Sequence, residues 1–297
     1  MAKKVKVHLW TLPRWFATSL FGAPAVLGGL LAGGMTPNSW LGVVAVLLIM
    51  AGGHSFNSFL DYAWTGLDRG DISERSAEKD YAGGQSVIAS GLVSTGEVAL
   101  NAIAWYLLAM VPLVYLAINV GWQVLAVGLV GMLVTFFYSK SKFNWTHEIV
   151  LGIGAGPLAV LAGMFATTSS APWATGLIAS VPSGILISFI GLPLDEWPDA
   201  EANIRKGVKS IAYKVWEHGI SLEWYVTSWV LFMFVFQVFL IVIGVLAPLS
   251  ALSFLAWPFF MSFLVLLKQD FRRWAGRVVL VGGLYPVLLV AGQWLGT

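Results

Sequence analysis

Two groups of oxygen-bearing side chains have the type and spacing for chemistry. Asn57 and Asp61 are four residues apart, on one face of a helix, and Asp68 and Asp71 follow. Asp195, Asp199 and Asn203 are spaced by four twice, so one continuous helix would carry them as a stripe, with Pro198 a possible kink. Facing stripes of carboxylates repel unless cations lie between them. Mg²⁺ takes oxygen ligands, keeps waters and typically bridges one or two carboxylates to substrate phosphates. Basic residues flank both groups: Arg69, Arg75 and Lys79 follow the first, and Arg205, Lys206 and Lys209 follow the second. This mixture of charge fits a polyanion such as a diphosphate, bound through metal and cations together. The plainer alternative is solvated loop charge, the reading taken for Asp71, Glu74, Glu78 and Asp80.

The elements that must position these groups are read from where charge is absent. Only 11% of the 297 residues are charged and 58% are hydrophobic, against about a quarter charged in a soluble domain. No charge occurs over the 46 residues between Arg14 and Asp61, the 42 between Glu97 and Lys140, the 46 between Glu148 and Asp195, or the 44 between Glu223 and Lys268. The last 20 residues, after Arg277, are also uncharged. A membrane-spanning helix needs roughly 20 apolar residues, so four double-length gaps and one single gap predict nine spans. Turn residues split each long gap, at Thr36-Pro37-Asn38, Asn119-Val120-Gly121, Thr167 to Pro172 and Ala247-Pro248. The predicted helices lie near 15–35, 39–60, 97–117, 121–139, 147–167, 174–194, 222–246, 249–267 and 277–296. Backbone polar groups in lipid must be satisfied within the segment, which requires helices, and a barrel would alternate polar and apolar residues. A soluble globular enzyme, a disordered chain and a nucleic-acid module are excluded.

Tight hairpins return the chain to one side each time, so all 17 basic residues fall on the side of the N-terminus. Basic loops mark the cytoplasmic face, which puts the N-terminus and both acidic groups there and localises the chain to the cell membrane as a multi-pass protein. The basic start, Met-Ala-Lys-Lys-Val-Lys, precedes an apolar run of full span length and reads as a retained first helix rather than a cleaved signal. With no cysteine, disulfides, thiolate metal sites and Cys nucleophiles are excluded. The 15 acids share the basic side, which topology does not require. The two acidic groups are 138 residues and four predicted helices apart. That even offset predicts a parallel repeat of helices 1–4 and 5–8 with a ninth helix added, bringing the stripes face to face around a central cavity.

The residues resemble the UbiA-type intramembrane prenyltransferases. Asn57-x3-Asp61 with Asp68 is similar to that family's first Asp-rich motif, and Asp195-x3-Asp199-x3-Asn203 with Gly207, Lys209 and Ser210 to its second. The resemblance covers nearly the whole chain, as one domain over 1–297 with its acidic motifs at 57–71 and 195–209. Ser58 and Asn203 stand where the family pattern has Asp, and Asp68 and Lys209 are each displaced by one position. Asp61-Tyr62, Gly66-Leu67-Asp68, Gly83-Gly84-Gln85 and Tyr138-Ser139 with Glu148 and Gly156-Pro157-Leu158 resemble the branch that prenylates 1,4-dihydroxy-2-naphthoate.

The resemblance implies Mg²⁺-dependent transfer of a polyprenyl group from its diphosphate to an aromatic acceptor, in menaquinone biosynthesis. It implies Asn57, Asp61, Asp68, Asp195, Asp199 and, with less weight, Asn203 as the Mg²⁺–diphosphate site. Asp61, Asp199, Lys209 and Tyr138 would be catalytic. Lys142, Arg75 and Lys79 are candidates for diphosphate contact. Tyr138 would lie near the reacting end of the prenyl chain or be an interfacial tyrosine. Glu148 would orient the acceptor or cap its own helix, and His54 reads as a hydrogen-bonded interior histidine or an acceptor contact. Other acceptors of the same superfamily (4-hydroxybenzoate, a tetrapyrrole, a glycerol lipid) stay open. From a different class, so does a cation transporter, although the acids sit at helix ends beside basic residues rather than at the bilayer midplane.

Overall fold

The computed structural model describes residues 2–68, 84–197, 200–260 and 271–297. The main helices are α1 (Gly22–Leu31), α2 (Pro37–Ala63), α3 (Thr95–Asn119), α4 (Trp122–Ser141), α5 (His147–Thr167), α6 (the bent pair Trp173–Ala179 and Val181–Glu196), α7 (Leu222–Val242), α8 (Pro248–Phe260) and α9 (Phe271–Gly296). Among the described residues, α2, α3, α4, α5 and α7 are each long and apolar enough to cross a membrane, and α6 makes a sixth when its two parts count as one span.

The ends of these helices are written in local chemistry. The Thr36 hydroxyl accepts from the Ser39 N–H while Ser39 Oγ accepts from the Thr36 N–H, with Pro37 in the first turn of α2. Ser94 and Glu97 form the same reciprocal box at the start of α3. Ser221 accepts from the Trp224 N–H to open α7.

Several predicted helices are interrupted. The first is divided into Trp15–Ser19 and α1, with Arg14 before it in a left-handed conformation at φ 48°. α5 widens to a π-turn over Gly154–Leu158, around Pro157, whose ring removes an N–H from the ladder. α6 bends by 41° next to Pro182. α8 begins as 3₁₀ turns over Pro248–Ala256, and the rest of the helix predicted to 267 lies outside the described residues.

Small residues set the packing. A Cβ on Gly28 of α1 would run into the carbonyl of Val160 in α5, and a Cβ on Gly163 would run into the carbonyl of Ala25 in α1. The contact is reciprocal: Gly28 meets Val160 and Gly163 meets Ala25, so residues 28 and 163 play matching parts, as do 25 and 160, each match 135 residues apart. A Cβ on Gly42 of α2 would likewise run into the Cβ of Ala166 in α5. Helices in lipid lack a strong hydrophobic drive to associate, and close backbone approach at small residues supplies dispersion contact instead. The outer faces stay apolar and exposed, as at Leu100, Leu107, Val111 and Ile118 of α3 and Leu231, Val235 and Val242 of α7. That is the surface of a multi-pass membrane protein. One buried polar cluster within it is closed by its own bonds: Gln237 donates to the Ser250 carbonyl and Ser253 Oγ, and accepts from the Tyr285 hydroxyl at 2.8 Å.

Candidate active site

The carboxyl ends of α2, α4 and α6 and the amino end of α5 are joined by side-chain bonds. On α2, Asn57 Oδ1 accepts from Ser139 Oγ of α4 at 2.8 Å. One turn later Asp61, 0% exposed, accepts from Lys142 Nζ through Oδ2 at 2.6 Å. Its other oxygen, Oδ1, is buried without a hydrogen-bond partner. Burial alone would lower the Lys142 pKa and is the largest single influence, but the Asp61, Glu196 and Asp68 carboxylates together outweigh it, and the net shift is upward. The ammonium therefore stays charged, 5.1 Å from the centre of the Tyr138 ring.

Beyond α2 the backbone folds back on itself. The Asp68 N–H donates to the Asp61 carbonyl at 3.1 Å, which keeps the buried Asp68 carboxylate beside the helix end. Leu67 then packs with Ala200, Val208 and Tyr213 from the second acidic segment. Lys206 Nζ donates to the Leu67 carbonyl at 2.8 Å, and the Lys209 N–H to the Lys142 carbonyl at 2.7 Å. The two acidic segments, 138 residues apart in sequence, thus meet at the same place.

The second segment is only partly described. Asp195 ends α6 and is exposed. Asn203 lies on the short helix Ala200–Arg205 and donates to the Tyr213 hydroxyl at 3.1 Å. Asp199, Arg75 and Lys79 lie outside the described residues, so the predicted stripe through Asp199 does too. Gly207, at φ +84°, ends the helix in the left-handed conformation that glycine adopts most easily.

Other predicted residues take unexpected positions. The side chain of Lys209 is exposed, and its recorded bond to the site is through its backbone. Glu148 does not cap its own helix. It accepts from Ser210 Oγ at 2.7 Å and the Ile211 N–H at 2.6 Å, at the start of the helix Ile211–Glu217. His54 is not bonded at Nε2, which is buried without a partner.

Three participants escaped the sequence reading. Arg14 places Nη2 3.5 Å from Ser58 Oγ, one residue past Asn57. His147 and Glu196, both buried, lie 3.3 Å apart. The signal for Arg14 was its place as the last charge before a 46-residue uncharged run. His147 and Glu196 had only adjacency to Glu148 and Asp195.

Among the described residues, no group of three or more His, Cys, Asp and Glu side chains is placed so that it could hold a metal ion by itself. The donors present still fit a hard divalent ion. The amide of Asn57 and the carboxylates of Asp61 and Asp68 offer oxygen donors at one helix end, and one Asp61 oxygen is buried and unbonded. This is the incomplete, all-oxygen set expected of an ion whose remaining ligands are waters and substrate phosphate.

The UbiA prenyltransferase family model matches residues 21–281. The chain belongs to the UbiA prenyltransferase family. It is a prenyltransferase, and the cation-transporter alternative falls away. It is 27% identical over 258 residues to 1,4-dihydroxy-2-naphthoate octaprenyltransferase of Bacillus subtilis (strain 168), covering 84% of this chain and 78% of that protein. Solved structures share the fold. A UbiA homolog from Archaeoglobus fulgidus bound to GPP and Mg²⁺ superposes with a TM-score of 0.64 at 14% identity, over 96% of this chain and 97% of the other. An apo UbiA homolog from Aeropyrum pernix K1 gives 0.63 at 18%, over 96% and 98%.

Proposed function

We propose that this family member transfers a polyprenyl group from an allylic polyprenyl diphosphate to 1,4-dihydroxy-2-naphthoate, as a step of menaquinone biosynthesis, at the cytoplasmic face of the cell membrane. The observation that carries the reading is the Asp61 carboxylate. It is fully buried where the two acidic segments meet, with one oxygen on Lys142 and the other unbonded. A buried, half-satisfied carboxylate is costly unless it serves a ligand. The Bacillus subtilis relative supports the acceptor, and the GPP- and Mg²⁺-bound Archaeoglobus fulgidus structure supports the donor and the metal.

Asn57, Asp61, Asp68, Asp195 and Asp199 would hold Mg²⁺, with Asn203 offering a carbonyl oxygen. When bound, the ion supplies positive charge that stabilises the leaving diphosphate. Lys142 would contact the same diphosphate, and Lys209, Arg75 and Lys79 are assigned to it as further cations. As the allylic C–O bond breaks, the face of the Tyr138 ring stabilises the cation that develops. The unbonded Nε2 of His54 is assigned to the acceptor. Exclusion of water from the helix ends protects the cation from hydrolysis.

The architecture proposed with this function is one domain of nine spans around a central cavity, with the N-terminus cytoplasmic and helices 1–4 and 5–8 as a parallel repeat. The reciprocal contact of α1 with α5 supports the repeat. Equivalent helices that meet on a pseudo-twofold axis must touch through equivalent residues, as the 28–160 and 163–25 contacts do when 28 is matched to 163 and 25 to 160.

The test is an assay of purified protein in detergent with polyprenyl diphosphate, Mg²⁺ and a panel of acceptors. Diphosphate release with 1,4-dihydroxy-2-naphthoate, lost on chelation, is expected. Release only with 4-hydroxybenzoate or a glycerol lipid would reassign the acceptor, and no release with any acceptor would overturn the reading.

A further inference from the structure

Both ends of the second acidic segment are held by one dipeptide on a different helix. His147 and Glu148 open α5, and each is 0% exposed. His147 Nε2 lies 3.3 Å from Glu196 Oε2, and Glu196 directly follows Asp195. At the far end, Glu148 Oε1 accepts from Ser210 Oγ at 2.7 Å and from the Ile211 N–H at 2.6 Å. The two side chains also lie side by side, with His147 Nδ1 3.2 Å from Glu148 Oε2, an ion-pair distance at which neither atom makes a hydrogen bond. Further bonds brace the same stretch. The Tyr213 hydroxyl donates to the Glu196 carbonyl at 3.4 Å and accepts from Asn203 Nδ2.

We propose that His147 and Glu148 form a clasp that positions the second acidic segment against the first, setting the affinity for the Mg²⁺–diphosphate group without touching substrate. Two carboxylates and an imidazole, all buried, are costly to desolvate. Apolar side chains of similar volume would hold two helix ends together at lower cost. What the polar arrangement adds is direction. Glu148 holds Ser210 and Ile211 at one angle, and His147 fixes the carboxylate next to Asp195. The segment needs such anchors, because its longest described helix, Ala200–Arg205, is six residues. Both residues are positioning residues, and the assignment rests on the proposed Mg²⁺–diphosphate role of Asp195 and Asp199.

The experiment uses the whole protein in detergent, with Mg²⁺ and an unreactive prenyl thiolodiphosphate. Binding is read by calorimetry, and kcat and KM for both substrates are measured alongside. Outer groups that orient metal ligands are typically worth about 10- to 100-fold in affinity, so His147→Ala and Glu148→Ala are each expected to weaken the thiolodiphosphate by about that factor. KM for the prenyl diphosphate rises in parallel, while KM for the acceptor stays within about twofold because only the donor's anchor has moved. Glu148→Gln, whose amide oxygen still accepts from Ser210 and Ile211, recovers most of the loss. Ser210→Ala removes one arm and leaves the charges intact, so a variant that folds remains available. A hydrogen bond to a carboxylate is worth more than a neutral one, so its expected loss is about 10-fold in the same constant.

Wild-type affinity in the alanine variants and in Ser210→Ala would overturn the clasp. So would equal losses for donor and acceptor, the mark of a merely structural prop. Asp61→Asn is the control for the site itself. If it too binds the analogue like wild type, the Mg²⁺–diphosphate reading fails and takes the clasp with it. If only Asp61→Asn loses binding, the site stands and the clasp alone falls.

Discussion

Asp61 and Lys142 show how a catalytic demand and a folding demand share one pair of atoms. Their ion pair is almost fully buried, at 1% and 9% side-chain exposure. Removing one partner of a buried pair strands the other charge and costs about 3–5 kcal/mol. Asp61→Asn and Lys142→Met are therefore each expected to lower stability by about that amount in detergent unfolding. The double variant should lose clearly less than the sum, because neither charge is left alone. Activity will not follow stability. Asp61→Asn removes a carboxylate assigned to the metal, so prenyl transfer should fall by on the order of 100-fold or more and stay lost in the double variant. A double variant with wild-type turnover would remove Asp61 from the metal site. Asp61 was legible in the sequence through its spacing from Asn57. Lys142 was legible only through the family resemblance. Its pairing needed the fold, since 81 residues separate the partners.

At the level of elements, helix ends were readable because caps and turns are local. Thr36-Pro37 and Ser94 with Glu97 start α2 and α3 close to the predicted places. The interruptions were less legible. The π-turn at Pro157 and the bend near Pro182 depend on which neighbours can accept a distorted backbone. In α5 the same helix must also approach α1 closely at Gly163, next to the Ala25 carbonyl. Gly163→Val and Gly28→Val would force the two helices apart. Overpacking of a close-packed contact typically costs about 1–3 kcal/mol, and here the obstacle is backbone that has no rotamer to change. Both variants are expected to melt several degrees lower in detergent, and Gly131→Val, with only Ile49 at 3.9 Å from the added carbon, should change little. Equal melting of all three would show that the α1–α5 contact does not limit packing.

For the whole molecule, the lack of cysteine makes orientation directly measurable. Single cysteines at Gly34, Val120, Ser169 and Gly244, in the turns opposite the acidic ends, are expected to react with an impermeant maleimide added outside intact cells. Cysteines at Thr65, Asn144 and His218 should react only after the membrane is opened. The reverse pattern would invert the proposed topology, in which basic loops stay inside.

Hydropathy and charge placement by themselves determined that this chain is a helical multi-pass membrane protein, because the cost of burying charge and open backbone in lipid is paid locally, residue by residue. Motif spacing also marked which carboxylates belong together on a helix end. Only the tertiary structure decided that Lys142 covers one oxygen of Asp61, that Arg14 reaches Ser58, and that Glu148 binds Ser210 rather than its own helix. These contacts join helices far apart in the chain, and a pairing between distant residues leaves no periodicity for a single sequence to display.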